Sequence, residues 1–267
     1  MRRIMLAGLI AIATVTQGAA QTNLRIGLRQ DPDILDPTLG SSYVGRIVYA
    51  AMCDKLFDID TKLNIIPQLA TGFKYDDPTH LVIMLRPGVK LHDGTDMTAE
   101  VAKYSLMRAL TMKGSMRVGE INTIDSIDVT GPLTIRLNLK TPASQLLAQL
   151  TDRAGIIVSP KAADAAGDKF GLAPVCAGPY AFESRVAQDR IVLKRFPGYW
   201  NAGDYHFDQV TYLPITNSSV VTVPIPGQNR FACMPWRAAS RKLCCAAANL
   251  IFVQTGRSSS ANVRSMP

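Results

Sequence analysis

The sequence predicts a mixed α/β fold of the α+β kind, without regular strand–helix alternation. Three observations predict it. Segments such as 23–30 (NLRIGLRQ) and 133–140 (LTIRLNLK) alternate apolar and polar residues with the period of two of a half-buried strand. Segments 43–57 and 98–110 carry apolar residues at helical spacing instead. The two patterns follow one another with no βαβ rhythm and no long internal repeat.

The elements follow in chain order. Residues 23–30 form a strand, and 31–37 (DPDILDP) form a proline-punctuated turn. In 43–57, Val44, Ile47, Val48, Ala51 and Met52 mark the apolar face of a helix. Residues 80–86 (HLVIMLR) form a strand, stopped by Pro87-Gly88. In 90–97 (KLHDGTDM), Asp93-Gly94 is a turn, with glycine free to take positive φ. A helix follows over 98–110, with Thr98 placed to cap it and Asp96 and Glu100 near its positive end. Val101, Tyr104, Met107 and Leu110 form its expected apolar stripe. Residues 121–140 read as a hairpin about Gly131-Pro132, 142–150 as a short helix and 155–160 as a short strand. Residues 177–196 read as another strand pair, and 207–215 as the last strand.

The first twenty residues stand apart. Arg2 and Arg3 precede an apolar run from Ile4 to about Val15, and Gly18-Ala19-Ala20 supply a small-residue cleavage site. That is the layout of an export signal over residues 1–20. The run is short of the roughly 20 apolar residues that span a bilayer. The mature chain is therefore expected in an exported compartment, in solution.

The net charge of +8 is uneven. Arg2 and Arg3 leave with the signal, and residues 221–267 hold six further basic residues and no acid. The 29 basic residues thus fall to 21 in the body, against 21 acids, so the body is neutral and only the tail is basic. The tail's cations are scattered, without a clustered run or regular aromatic interleaving, and nucleic-acid binding is not expected.

Cys53 and Cys176 lie in the body, and Cys233, Cys244 and Cys245 in the tail. An exported protein permits a Cys53–Cys176 bond, but spacing alone does not bring their Cα atoms into range. No Cys-x-x-Cys and no Cys/His cluster at zinc spacing is present, so no metal site is expected. His92 and Asp93 are neighbours on a turn whose side chains tend to point apart; they read as a helix entry rather than a catalytic or metal pair. The competing enzymatic reading is an exported metal-dependent hydrolase using His92 and Asp93, for which further ligands and an activated water are required. The body holds no Gly-x-Ser-x-Gly elbow, His-Glu-x-x-His or Walker loop.

Residues 65–110, from IIPQLATGF to LRPGVKLHDGTDMTAEVAKYSLMRAL, resemble the signature region of the family 5 extracellular solute-binding proteins, the dipeptide- and oligopeptide-binding components of ABC importers. The segments LDP (35–37), VYAAMCDKLFDID (48–60), VCAGPYAFES (175–184) and RFPGYW (195–200) fall in the family's order. The pattern departs at Leu91, Val101, Cys176 and Ala177, which are changes at the level of packing. The resemblance runs from about Asn23 to about Val220 and then stops.

The resemblance implies a periplasmic-binding-protein-like lobe with an extra subdomain. Residues 21–60 would begin lobe one, 61–175 form the extra subdomain and 176–220 return to lobe one. The second lobe would be missing and 221–267 would be a non-family tail, out of frame, leaving lobe one with an unpaired sheet edge. It also implies a peptide or other small solute as ligand, delivery to permease subunits in the inner membrane, a periplasmic monomer, and no cofactor or catalysis. The loop GSSYVG (40–45) is the candidate contact, through Ser41, Ser42 and Tyr43. A plain surface loop that caps the next helix fits these residues equally well. Tyr199 and Trp200 are expected to pack between lobe and subdomain.

Overall fold

The computed structural model describes residues 22–215 and the backbone of residues 250–257. Strand β1 (Thr22–Leu28) is followed by helix α1 (Tyr43–Met52), β2 (Phe57–Ile59), β3 (Ile65–Pro67), β4 (Ala70–Asp77) and β5 (His80–Leu85). Then come α2 (Ala99–Thr111), α3 (Val118–Ile121), β6 (Ile124–Gly131), β7 (Thr134–Leu139), α4 (Leu146–Gln149) and α5 (Pro160–Ala166). Strands β8 (Tyr180–Val186), β9 (Arg190–Arg195), β10 (Gln209–Pro214) and β11 (Leu250–Arg257) follow. They form a five-stranded sheet ordered β11-β1-β10-β9-β8, a four-stranded sheet ordered β4-β5-β7-β6, and the β2-β3 pair.

Two apolar cores organise the chain. In the first, Leu24, Ile26, Ile191, Leu193, Val210 and Tyr212 project from the five-stranded sheet onto Val48, Met52 and Phe170. Alternation along β1 and β9 puts these residues on one face, as period two requires. In the second, α2 covers the four-stranded sheet, setting Ala102, Leu106 and Ala109 on Leu81, Ile83, Ile135 and Leu137. The stripe expected on α2 is corrected here. Val101 of that stripe is buried, with Ala99, Ala102, Ser105, Leu106 and Ala109, whereas Tyr104, Met107 and Leu110 are only half-buried. A strict three-residue repeat walks around a 3.6-residue helix, so the core face follows the three- and four-residue steps instead. Thr98 caps the helix, its side chain accepting from the Val101 amide.

Three other expectations change. Residues 155–160 do not form a ladder strand; Ile156 and Val158 make single bridges to Lys55 and Cys176, and Pro160 opens α5. The helix expected over 142–150 shortens to Leu146–Gln149. Strand β10 is not the last, because β11 lies antiparallel to β1 from Thr22↔Arg257 to Leu28↔Leu250. Strand β1 is thus paired on both sides, with β10 parallel to it on the other flank. The flank of β1 is therefore covered, and the sheet ends at β11 and β8.

The chain passes between the cores at a narrow neck. Cys53, at the C-terminal cap of α1, is bonded to Cys176, with the Cα atoms 5.0 Å apart. The amide of Asp54 donates to the Ala177 carbonyl at 3.1 Å. Asp54 itself is buried and accepts from Tyr199 Oη at 2.8 Å, Trp200 Nε1 at 2.9 Å and Gln68 Nε2. Tyr199 belongs to the first core, and Trp200 touches both. Its ring carries the Arg86 guanidinium 4.0 Å from its centroid.

Candidate functional site

The loop between β1 and α1 leaves the C-terminal end of β1, beside the end of its parallel neighbour β10. In open α/β sheets, ligands bind outside that end of the parallel strands. The loop is held at every turn. Arg108 of α2 grips Asp36 with both Nη atoms, at 2.9 and 2.7 Å, and donates to Thr38 Oγ1 at 2.6 Å. The Met116 amide donates to the Thr38 carbonyl at 3.0 Å. The Gly40 carbonyl accepts from Arg153 Nη1 at 2.8 Å and from Arg117 Nη2 at 3.3 Å. A Cβ on Gly40 would stand 2.5 Å from Tyr49 Oη, so the close approach at this point requires glycine.

Ser41, Ser42 and Tyr43 sit at the end of this loop, but the two hydroxyls are already engaged. Asp33 Oδ2 accepts from the amide and hydroxyl of Ser41, both at 2.7 Å, and from the Ser42 amide at 3.1 Å. Asp33 Oδ1 accepts from Ser42 Oγ at 2.8 Å, and that oxygen in turn caps α1 by accepting from Gly45. Partial burial acts to raise the Asp33 carboxyl, yet the hydrogen bonds from Ser41, Ser42 and Ile34 outweigh it and hold it well below the usual carboxylate range. Ser41 and Ser42 therefore shape the loop. Of the three, Tyr43 offers the free surface, with its ring 48% exposed. Met116 and Val118 are also exposed, and Met116 is tied to the same loop. The result is a wall with an apolar rim over two buried guanidiniums.

Sequence reading missed Arg117 and Arg153. They lie 77 and 113 residues beyond the carbonyl they hold, and no local pattern joins them to it. Arg117 pairs with Glu120 on its own turn. Burial first, and then the neighbouring Arg117, lower the proton affinity of Arg153.

His92 and Asp93 do not converge. The His92 amide donates to the Cys176 carbonyl at 2.9 Å, and its ring lies edge-on to Phe196 at 5.2 Å. Nδ1 lies 3.4 Å from the Cys176 amide, and Nε2 lies 3.0 Å from the Gly178 carbonyl and 3.2 Å from the Gly178 amide, so the ring is held between the backbones of both residues. Burial pushes this imidazole down to about 4. Asp93 turns the other way, accepting from Ser159 Oγ at 2.5 Å and from the Thr95 amide at 3.0 Å. Gly94, at φ +84°, makes the turn between them and Asp96. The arrangement a metal hydrolase needs is not assembled by this pair. Among the described residues, no three His, Cys, Asp or Glu side chains gather to hold a metal.

The chain is similar to the glutathione-binding protein GsiB of Pectobacterium atrosepticum, 29% identical over 234 residues, which are 86% of this chain and 46% of that protein. It spans about half the length of the curated relatives it matches. Among solved structures it is similar to AgaA from A. tumefaciens R10, solved with agropinic acid, at 30% identity and a TM-score of 0.67, covering 71% of this chain and 39% of that one. The Escherichia coli murein tripeptide binding protein MppA shares the fold at 22% identity and a TM-score of 0.67, over 74% of this chain and 42% of its own. The model for the bacterial extracellular solute-binding proteins, family 5, matches residues 64–225, more than half of the 267. On that match the chain belongs to the family 5 bacterial extracellular solute-binding proteins.

Proposed function

We propose that this chain supplies one wall of the solute cleft of a periplasmic binding component of an ABC importer, and that the solute is a peptide. The observation that carries the reading is the 38–43 loop, fixed by Arg108, Arg117 and Arg153 and bordered by exposed Tyr43 and Met116. A peptide needs both features: apolar surface for its side chains and fixed backbone groups for its main chain. The names of two relatives, one for glutathione and one for a murein tripeptide, support a peptide over a sugar. The bound complex would pass to inner-membrane permease subunits, and the chain would act as a monomer in the periplasm. The export signal that this requires, residues 1–20, and most of the basic tail lie outside the described residues.

The test is the melting temperature of the chain against a panel of di- and tripeptides, glutathione included, run beside a metal analysis and a hydrolase assay. A rise that grows with peptide concentration supports the reading, because a ligand bound only by the native state stabilises it. Peptide turnover with a stoichiometric metal would replace it with the enzymatic one.

A further inference from the structure

Between α1 and the turn Arg153–Gly155 lies a pocket of about 90 Å³, lined by Arg46, Lys55, Asp152 and Arg153 among others. Its wall carries three cations and one carboxylate. Asp152 is taken by Arg46 at 2.5 Å, and Lys55 by Asp58 at 2.9 Å. Behind the wall, Arg117 is matched by Glu120. Arg153 is the least fully matched, because Asp152 gives Oδ2 to Arg46 at 2.5 Å and only a long 3.9 Å pairing through Oδ1 to Arg153 Nε. Its side chain is 8% exposed, its Nη1 serves a neutral carbonyl, and its Nε has no hydrogen-bond partner.

A buried guanidinium stays charged, and a buried charge without a full counter-charge is unfavourable. An anion entering the pocket would relieve that cost. The pocket is small, about 90 Å³, and suits a compact anion such as one carboxylate. The guanidinium fork matches a carboxylate in shape as well as charge. The pocket also meets the candidate site, since Arg46 lies 5.8 Å from the centroid of the Tyr43 ring.

We propose that this pocket is a carboxylate site, held by Arg153 and Arg46 with Lys55 at its edge. Two sources of the carboxylate are open to it: a small free anion, or the carboxylate of a solute lying on the Tyr43 loop. The second rests on the solute-binding reading above, and the first does not.

The test follows the Arg153 Nε–Hε resonance of the isotope-labelled full chain during titration with sodium acetate, against sodium chloride at the same ionic strength. A shift that saturates with acetate and not with chloride is expected, with acetate affinity weakened about tenfold or more in Arg46→Gln, whose exposed side chain is not needed for folding. No shift, or one reproduced by chloride and unchanged in Arg46→Gln, overturns the proposal. A tripeptide and its C-terminal amide separate the sources. Movement with the free acid alone assigns the site to the solute; acetate movement without peptide movement assigns it to a free anion. Loss of all peptide binding with acetate binding intact would sink the solute reading and leave this site standing.

Discussion

His92 Nε2 stands 3.0 Å from the Gly178 carbonyl, 86 residues along the chain, and so ties the turn before α2 to the Gly-Pro-Tyr segment that returns the chain to the first core. Burial favours the neutral ring and outweighs the bond to Gly178, which by itself favours the charged one. The folded pKa, about 4, lies below the ordinary histidine value of 6.5. Between those values the unfolded chain binds a proton that the folded chain refuses, so the stability from His92 is present above pH 6.5 and is lost as pH falls toward 4. The loss is on the order of 3 kcal/mol at its limit. The melting temperature of wild type should therefore fall more steeply from pH 7 to pH 4 than that of His92→Gln; parallel curves would contradict this. Solute affinity at pH 7 should change only a few-fold in His92→Ala.

The Cys53–Cys176 bond closes a loop of 123 residues at the neck between the two cores. Chain-entropy arguments give such a closure roughly 4–5 kcal/mol. Reduction, or Cys53→Ser with Cys176→Ser, should lower the melting temperature by on the order of 10 °C for a chain of this size. An unchanged melting temperature under reductant would show that the packing about Asp54, Tyr199 and Trp200 suffices without the bond.

Asp33 organises the loop that carries Ser41 and Ser42. Replacing it with alanine removes the acceptor for two amides and two hydroxyls. Amide exchange at Ser41 and Ser42 should accelerate at least about tenfold, with little change in the β4–β7 sheet. Exchange that stays slow would mean that Arg153 and Arg117 alone fix the loop.

Strand β11 covers β1 over Thr22–Leu28. Deleting 250–257 should expose a row of unpaired backbone groups, and such edges associate. Light scattering should report dimers or larger species in the deletion and a monomer in the full chain. A monomeric deletion would assign no protective role to this strand.

Much of the fold was legible because its signals are local. Thr98 before a helical repeat, Gly131-Pro132 between two alternating runs, and the ordered family motifs each lie within a few residues of what they specify. The face of α2 was read correctly at Val101 and misread beyond it, because the larger Tyr104 and Met107 lie to one side while Ala102, Ser105, Leu106 and Ala109 face the core. Strand β11 was missed because its partner lies more than two hundred residues away. The site was half legible. The loop was proposed from its hydroxyls, yet those of Ser41 and Ser42 are spent on Asp33, and the groups beneath it come from Arg108, Arg117 and Arg153 on distant turns.

The 38–43 loop with Tyr43, Met116 and Arg153 is the proposed solute-binding wall. It is tested most directly by amide chemical shifts of the isotope-labelled chain titrated with a tripeptide to tens of millimolar. A single wall encloses only part of a ligand, so binding is expected near millimolar, about −4 kcal/mol. The predicted result is saturable shifts confined to Gly40–Tyr43, Met116–Val118 and the Arg153 turn. Saturable shifts mapping elsewhere, or none over the whole range, would contradict the account.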